Sequence, residues 1–263
     1  MRQQLNINKT IIAKKSLGQN FINNQNFLEK LSEKIVSNYN SNIIEIGPGT
    51  GSLTEYLKKK KFNKLILIEK DFRLSNLLNE KYKSEHNIKV YNEDALTFDL
   101  SNYASNENII VGNLPFNISS QLLIKWISYN KWPPFYNKMY LMFQKELGER
   151  IVSKVNSKSY GKLSVLAQSR CDIKKLIEAP SNIFYPKPKV DGIVLEFKPI
   201  EEYADIDLEK LKLILKTAFE NRRKKIKNSL SDYSLYFDNW ETEKDLRPEN
   251  LGVKQYCFLA RRS

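Results

Sequence analysis

The chain has 263 residues, 41% of them apolar, enough for one large packed domain or for a large domain with a small appendage. Lys and Arg number 43 against 30 Asp and Glu, a formal charge of +13, so the first partner to consider is a polyanion, nucleic acid ahead of an anionic membrane surface. A single histidine, His86, and two distant cysteines, Cys171 and Cys257, argue against a His-based zinc site, a Ser-His triad and a disulfide scaffold.

The N-terminal stretch MRQQLNINKTIIAKK has no apolar core of the signal-peptide kind. No segment approaches the roughly 18 apolar residues of a spanning helix. A soluble, cytoplasmic protein without a membrane partner is expected. Asn23 or Asn24 is placed to cap an early helix, QNFLEKLSEKIVSNY. From residue 42, short apolar runs alternate with longer amphipathic segments. The runs are NIIEIG (42–47), KLILIEKD (64–71), IKVYNED (88–94), NIIVGN (108–113), MYLMF (139–143), DIKKLIEA (172–179) and GIVLEF (192–197). Continuous Ile/Leu/Val runs suit strands covered on both faces. Between them LTEYLKKK, FRLSNLLNEKY, SSQLLIKWISY and KELGERIVSKV have helical spacing. This alternation predicts an α/β fold built on a parallel sheet.

After EFKPI the strand signal stops. A boundary at Pro199 is expected, with an α/β domain over 1–199 and a small, basic, helical domain over 200–263. There LEKLKLILKTAFENRRKKIKNSL reads as a helix or a helix pair. On that reading Arg223 and Lys227 are i, i+4 neighbours on one face, with Arg222, Lys224 and Lys225 beside them. A charge run by itself is usually a solvated face. In a chain of +13 this one is expected to grip RNA phosphates.

IIEIGPGTGSL places Gly47, Gly49 and Gly51 between a strand and a helical segment. Glycines there let the backbone turn tightly and approach a ligand. Ser52 breaks the dinucleotide fingerprint, and no Gly-Lys-Ser/Thr follows, so the loop suits a nucleoside without a pyrophosphate. Glu69 ends the next strand, where a carboxylate can accept both ribose hydroxyls, and Asp94 ends the one after, where it can accept from an adenine amine. Three such features at successive strand ends describe a site for S-adenosylmethionine.

The fourth run delivers Asn113-Leu114-Pro115-Phe116 to the same place. The lone pair of an adenine N6 amine is delocalised into the ring. Two acceptors on its N–H bonds would favour pyramidal nitrogen and aim the lone pair at a methyl donor. The Asn113 side-chain oxygen can be one acceptor and the Leu114 carbonyl, before a stiffening Pro115, the other. Phe116 can stack on a base swung out of its helix or loop. Positioning, without an acid, base or metal, would carry the catalysis.

Together these residues resemble the KsgA/RsmA family of small-subunit ribosomal RNA adenine N6,N6-dimethyltransferases. The likeness covers nearly the whole chain: KKSLGQNFINNQNF, EIGPGTGSLTE, IEKD, NEDAL, VGNLPFNIS, FQKELGERIVS, YGKLSVLAQ, IFYPKPKVDG and FENRRKKIKNSL. The resemblance implies a seven-strand Rossmann-like methyltransferase sheet, mostly parallel with one antiparallel strand, and an all-α C-terminal domain. It implies that Asn20 and Ile22 lie over the methionine end of S-adenosylmethionine, with Gly47 at the loop, Glu69 at the ribose and Asp94 at the adenine. Asn113 would be shared between cofactor and target base, with Phe116 and the aromatic Phe184 near that base. The implied substrate is a pair of adjacent adenines in the 3′-terminal hairpin of 16S rRNA, within a small ribosomal subunit or its precursor. Each would receive two methyl groups from a monomeric enzyme of ribosome biogenesis. The rival readings are a large-subunit rRNA dimethyltransferase of the macrolide-resistance type and a non-catalytic RNA-binding assembly factor of the same fold.

Overall fold

A computed structural model describes residues 12–103, 107–236 and 243–263. Most of the N-terminal stretch read above as lacking a signal sequence lies outside these residues. The elements follow one another as β1 (Phe21–Ile22), α1 (Gln25–Lys34), β2 (Ser41–Ile46), α2 (Thr54–Leu57), β3 (Lys64–Ile68), α3 (Phe72–Tyr82), β4 (Ile88–Tyr91) and β5 (Glu107–Asn113). There follow α4 (Ser119–Ile127), β6 (Lys138–Gln144), α5 (Lys145–Ile151), α6 (Lys162–Gln168), β7 (Cys171–Ala179), β8 (Phe184–Tyr185) and β9 (Gly192–Pro199). Helices α7 (Leu208–Glu220), α8 (Ile226–Ser229) and α9 (Val253–Arg262) complete the described chain, with short 3-10 turns between them.

The seven apolar runs are the seven strands of one sheet, in the order β4-β3-β2-β5-β6-β9-β7. Strands β4 to β6 pair in parallel, and β9 runs antiparallel to β6. All six residues of β2 are buried, as are five consecutive residues of β5 and of β6, which is why these runs show no polar alternation. Strand β7 lies at the edge and spaces charged Asp172, Lys174, Lys175 and Glu178 along it, a composition that discourages pairing with another chain. A second, two-stranded sheet pairs β1 with β8 antiparallel, Phe21 opposite Tyr185 and Ile22 opposite Phe184.

Caps fix several helix starts. Asn24 accepts from the Phe27 N–H at 2.8 Å, and Asp71 from the Arg73 N–H at 3.1 Å. The chain forms two compact units, one of residues 1–125, 135–145 and 175–197, the other of 126–134, 146–174 and 198–263. The second unit thus gathers segments that precede Pro199. Within it α7 packs on α6 and α9 through Leu211, Ile214, Leu215 and Ala218, spaced for one helix face. Phe219 bridges Tyr160 and Tyr256, with ring centroids 6.3 and 5.9 Å away. No strand occurs after Pro199 among the described residues.

Several expected helices are shorter than their patterns: QNFLEKLSEKIVSNY ends at Lys34 and SSQLLIKWISY at Ile127. LTEYLKKK gives only the single turn of α2, and KELGERIVSKV stops at Ile151. The basic run is not one continuous helix, a correction to the face shared by Arg223 and Lys227: of its five cations only Lys227 is helical, in α8. Helix α7 ends at Glu220, residues 221–224 form turns, and Lys225 is extended ahead of α8. Asn221 helps end the helix: its side chain donates to the Thr217 carbonyl at 3.2 Å, and its own carbonyl accepts from the Lys224 N–H at 2.8 Å. Stacking four adjacent cations on helical turns would be repulsive, and the break also lets Ile226 and Leu230 reach the core.

Candidate active site

After β2 the chain moves to β3 and β4 on one side, then returns to β5 on the other. Ligands of open α/β sheets bind at the carboxyl ends of strands where the order reverses in this way. A crevice opens there. Its lining includes Asn20 and Ile22 from the N-terminal segment and Gly47, Glu69 and Asp94 from three successive strand ends. It also includes the turn Asn113, Leu114, Pro115 and Phe116 after β5. All nine residues singled out for the cofactor and the reaction therefore share one cavity.

The glycine loop is built for close approach. Gly47 donates to the Ile68 carbonyl at 2.9 Å, tying the end of β2 to the end of β3. Gly49 has φ of 60°, and a Cβ there would lie 2.9 Å from the Phe21 ring, so a side chain is excluded twice over. Its N–H donates to Glu69 Oε2 at 3.0 Å, while the Asp71 N–H donates to Oε1 at 2.8 Å. Glu69 is only 6% exposed, and burial pushes its carboxyl up against the pull of those two N–H groups. Each oxygen keeps acceptor capacity beyond its one backbone bond, which fits a pair of vicinal hydroxyls.

Asp94 is held from two sides. Its Oδ2 accepts from Lys70 Nζ at 2.6 Å and its Oδ1 from the Leu96 N–H at 2.9 Å. Burial alone would raise this carboxyl, but the Lys70 ammonium and the Leu96 N–H keep it below the ordinary value. Behind it, Lys125 Nζ bonds the Ala95 and Phe98 carbonyls at 3.0 and 2.7 Å and so holds the loop in place.

At the end of β5, Asn113 Nδ2 donates to the Asn20 carbonyl at 2.8 Å. A carbonyl can only accept, so the amide must turn its nitrogen towards Asn20 and its Oδ1 away. Leu114 is buried, and Pro115 and Phe116 are half-buried. The Ile118 N–H closes the turn onto the Pro115 carbonyl at 3.1 Å, and Ser119 Oγ donates to the Phe116 carbonyl at 3.3 Å.

Two other expectations fall elsewhere. Phe184 is 4% exposed, packed in the core opposite Ile22, and does not line the crevice; the exposed aromatic of that strand is Tyr185, at 50%. The basic run belongs to the second compact unit. Arg222 donates to the Lys158 carbonyl at 3.0 Å and its Nε lies 3.4 Å from Glu249, while Lys225 and Lys227 share Asp245 at 3.1 and 2.8 Å. Arg223 and Lys224 have no ion pair among the described residues.

Not anticipated from the sequence is Glu45. It lines the crevice, fully buried, with Thr54 Oγ1 donating to its Oε2 at 2.7 Å. Burial pushes its carboxyl up to about 8, and the Glu69 charge adds to the rise. Its one signal is an acid inside an otherwise covered strand, SNIIEI.

The profile of the family described as Ribosomal RNA adenine dimethylase matches residues 11–251. A relative from Pelagibacter ubique (strain HTCC1062), described as Ribosomal RNA small subunit methyltransferase A, is 39% identical over 260 residues, 95% of this chain and 96% of its own length. One from Ehrlichia ruminantium (strain Gardel), described in the same words, is 38% identical over 97% of this chain and 99% of its own. Among solved structures, a dimethyladenosine transferase from Plasmodium falciparum superposes with a TM-score of 0.78 at 23% identity, covering 92% of this chain and 96% of its own. The 23S rRNA methyltransferase ErmE does so at 0.69 and 21%, covering 92% and 98%. At those identities the structures speak for the fold, the Rossmann-like methyltransferase sheet. The profile match and the full-length relatives together make this chain a member of the ribosomal RNA adenine dimethylase family.

Proposed function

We propose that this S-adenosylmethionine-dependent methyltransferase dimethylates N6 of two adjacent adenines in the 3′-terminal hairpin of 16S rRNA, within a small ribosomal subunit or its precursor. The relatives at 38–39% identity are named for the small subunit, which favours this reading over the large-subunit alternative. An intact Glu69, Asp94 and Asn113 in one crevice speaks against a non-catalytic assembly factor. The reading takes the enzyme as a monomer acting on cytoplasmic particles; no helix among the described residues is long and apolar enough to cross a membrane.

The residues divide the work. When bound, the cofactor supplies an electrophilic methyl group on a sulfonium. Glu69 takes the two ribose hydroxyls and Asp94 the adenine amine of that cofactor, while Asn20, Ile22 and Gly47 enclose the rest. Asn113 Oδ1 and the Leu114 carbonyl accept the N–H bonds of the target amine and free its lone pair. Phe116 stacks on the extruded base, and Pro115 keeps the turn stiff. The methylated nitrogen sheds its extra proton to water, so no side-chain base is needed. Phe184, in the β1–β8 pair opposite Ile22, supports the base pocket from within the core. Arg222, Arg223, Lys224, Lys225 and Lys227 hold rRNA phosphates and orient the particle.

The observation that carries this reading is the Asn113 amide, turned by the Asn20 carbonyl so that its oxygen is presented at the end of β5. The test is labelled-methyl transfer to small-subunit particles from a strain lacking the modification, followed by nuclease digestion. Label recovered as N6,N6-dimethyladenosine from the 3′-terminal fragment supports it. Label in large-subunit rRNA, or none, overturns it.

A further inference from the structure

Residues 16–20 form one wall of the crevice, yet they belong to no strand of the seven-stranded sheet. Downstream the wall is secured by the β1–β8 pair and by the Asn23 N–H, which donates to the Ile183 carbonyl at 2.7 Å. Upstream its bonds converge on Asp71. Gln19 Nε2 donates to Asp71 Oδ2 at 3.1 Å, and Lys14 Nζ lies 3.4 Å from Oδ1. Arg73 forks onto both oxygens, at 3.1 and 2.6 Å, and also donates to the Ile12 carbonyl at 3.3 Å. The Asp71 side chain is fully buried, and the Arg73 guanidinium holds its carboxyl far below the usual range, so it stays a charged anchor.

Gln19 uses both ends of its amide. While Nε2 reaches Asp71, its Oε1 accepts from the Lys14 N–H at 2.8 Å. The next residue is Asn20, whose carbonyl orients Asn113. One residue earlier, Gly18 has a φ of 63°, a left-handed backbone that side chains rarely adopt, and a Cβ there would push on the Asn117 amide 2.6 Å away. At the other end the Asp71 N–H holds Glu69. A single short segment is thus tied to the ribose acid through Asp71 and to the base-handling turn through the Asn20 carbonyl.

We infer that the Gln19–Asp71 hydrogen bond is a clasp that positions Asn113: by fixing Gln19 it fixes the Asn20 carbonyl, and through it the direction in which the Asn113 oxygen points. Gln19 and Asp71 are positioning residues for the methyl transfer, acting through the wall. The inference rests on the reading of Asn113 as an acceptor for the target amine. It makes the cofactor half and the base half of the crevice depend on one another, because Asp71 serves Glu69 with its N–H and Asn20 with its carboxylate.

The test compares Gln19→Ala, Gln19→Glu and Asn113→Ala in single-turnover methyl transfer at saturating cofactor and particle, with melting temperature and cofactor Kd measured alongside. Gln19→Ala should keep a parental melting temperature and slow the saturated rate roughly 10–100-fold, the scale of a small misplacement of a reacting group. Gln19→Glu keeps the acceptor for Lys14 but sets two carboxylates face to face, so it should be no faster. Adding Gln19→Ala to Asn113→Ala should change the residual rate little, since both act on one contact. A parental saturated rate in Gln19→Ala, with only cofactor Kd weakened, overturns the clasp, and so does additivity with Asn113→Ala. If Asn113→Ala itself turns over at the parental rate, the acceptor reading has failed instead.

Discussion

The crevice and the basic run use polar residues in opposite ways. In the crevice the two nucleoside acids are each held from two sides, the buried Glu69 by two backbone N–H groups and the half-buried Asp94 by a lysine and a backbone N–H. In the basic run four of the five charges are exposed and Arg222 is half-buried, and three of the five already face an acid: Arg222 at Glu249, Lys225 and Lys227 at Asp245. Desolvated, multiply bonded groups cannot move to suit a ligand, so they discriminate one ligand from another. Solvated cations are interchangeable and give affinity for any phosphate chain. The two regions should therefore fail differently when altered.

The largest effect is expected at Asn113. Asn113→Ala should cost on the order of 10²–10³-fold in turnover, the scale of losing one preorganised contact to the reacting group, with little change in particle affinity. Equal losses in rate and affinity would erase the contrast between the two regions. Next comes Glu69→Ala, which should weaken cofactor binding by about 1–3 kcal/mol in calorimetry, because its partners at Gly49 and Asp71 are left without an acceptor.

Glu45 sharpens the comparison through pH. Its folded value is raised from 4.5 to about 8, so between those limits the folded state keeps a proton that the unfolded chain has lost. Stability from this group is complete below the lower limit and is lost as pH rises through the upper one. Denaturant unfolding at pH 5 and pH 8 should show the parent losing more stability over that step than Glu45→Gln, by up to roughly 1.4 kcal/mol per unit. Equal slopes would mean that the carboxyl is not held neutral.

The smallest effect belongs to the basic run. Arg223→Gln and Lys224→Gln should each lower the log–log salt slope of particle binding by roughly 0.7–0.9, in filter binding across a salt series. Lys225→Gln and Lys227→Gln should do less, since Asp245 already neutralises part of their charge. Cofactor affinity should stay parental in all four. An unchanged slope in an Arg223→Gln, Lys224→Gln double variant would leave this segment a solvated face.

Much of the crevice was legible because covered strands advertise themselves as unbroken apolar runs, and ligands gather where such runs end. Glu69, Asp94 and Asn113 could be read that way from position alone. Other features leave no such trace. Strands of two residues, Phe21–Ile22 and Phe184–Tyr185, are too short for any period to show, so the core position of Phe184 was hidden. Gln19 and Asp71 meet across 52 residues, side chain to side chain between a loop and a helix cap, and no spacing rule joins them. The helix expected through FENRRKKIKNSL followed helix propensity. Asn221 and the crowding of four cations broke it, an outcome decided by burial of Ile226 and Leu230.

In the proposed function the turn after β5 catalyses by holding the target amine, with no acid or base taking part. Single-turnover methyl transfer to unmodified small-subunit particles, at saturating cofactor, tests it most directly in three enzymes: the parent, Phe116→Tyr and Asn113→Asp. Phe116→Tyr keeps the stacking face and should run near the parental rate. Asn113→Asp keeps an acceptor oxygen but loses the amide N–H that bonds the Asn20 carbonyl, so it should be slow at every pH. A rate for Asn113→Asp that rises with pH to the parental value would show residue 113 working as a base, and would contradict the account.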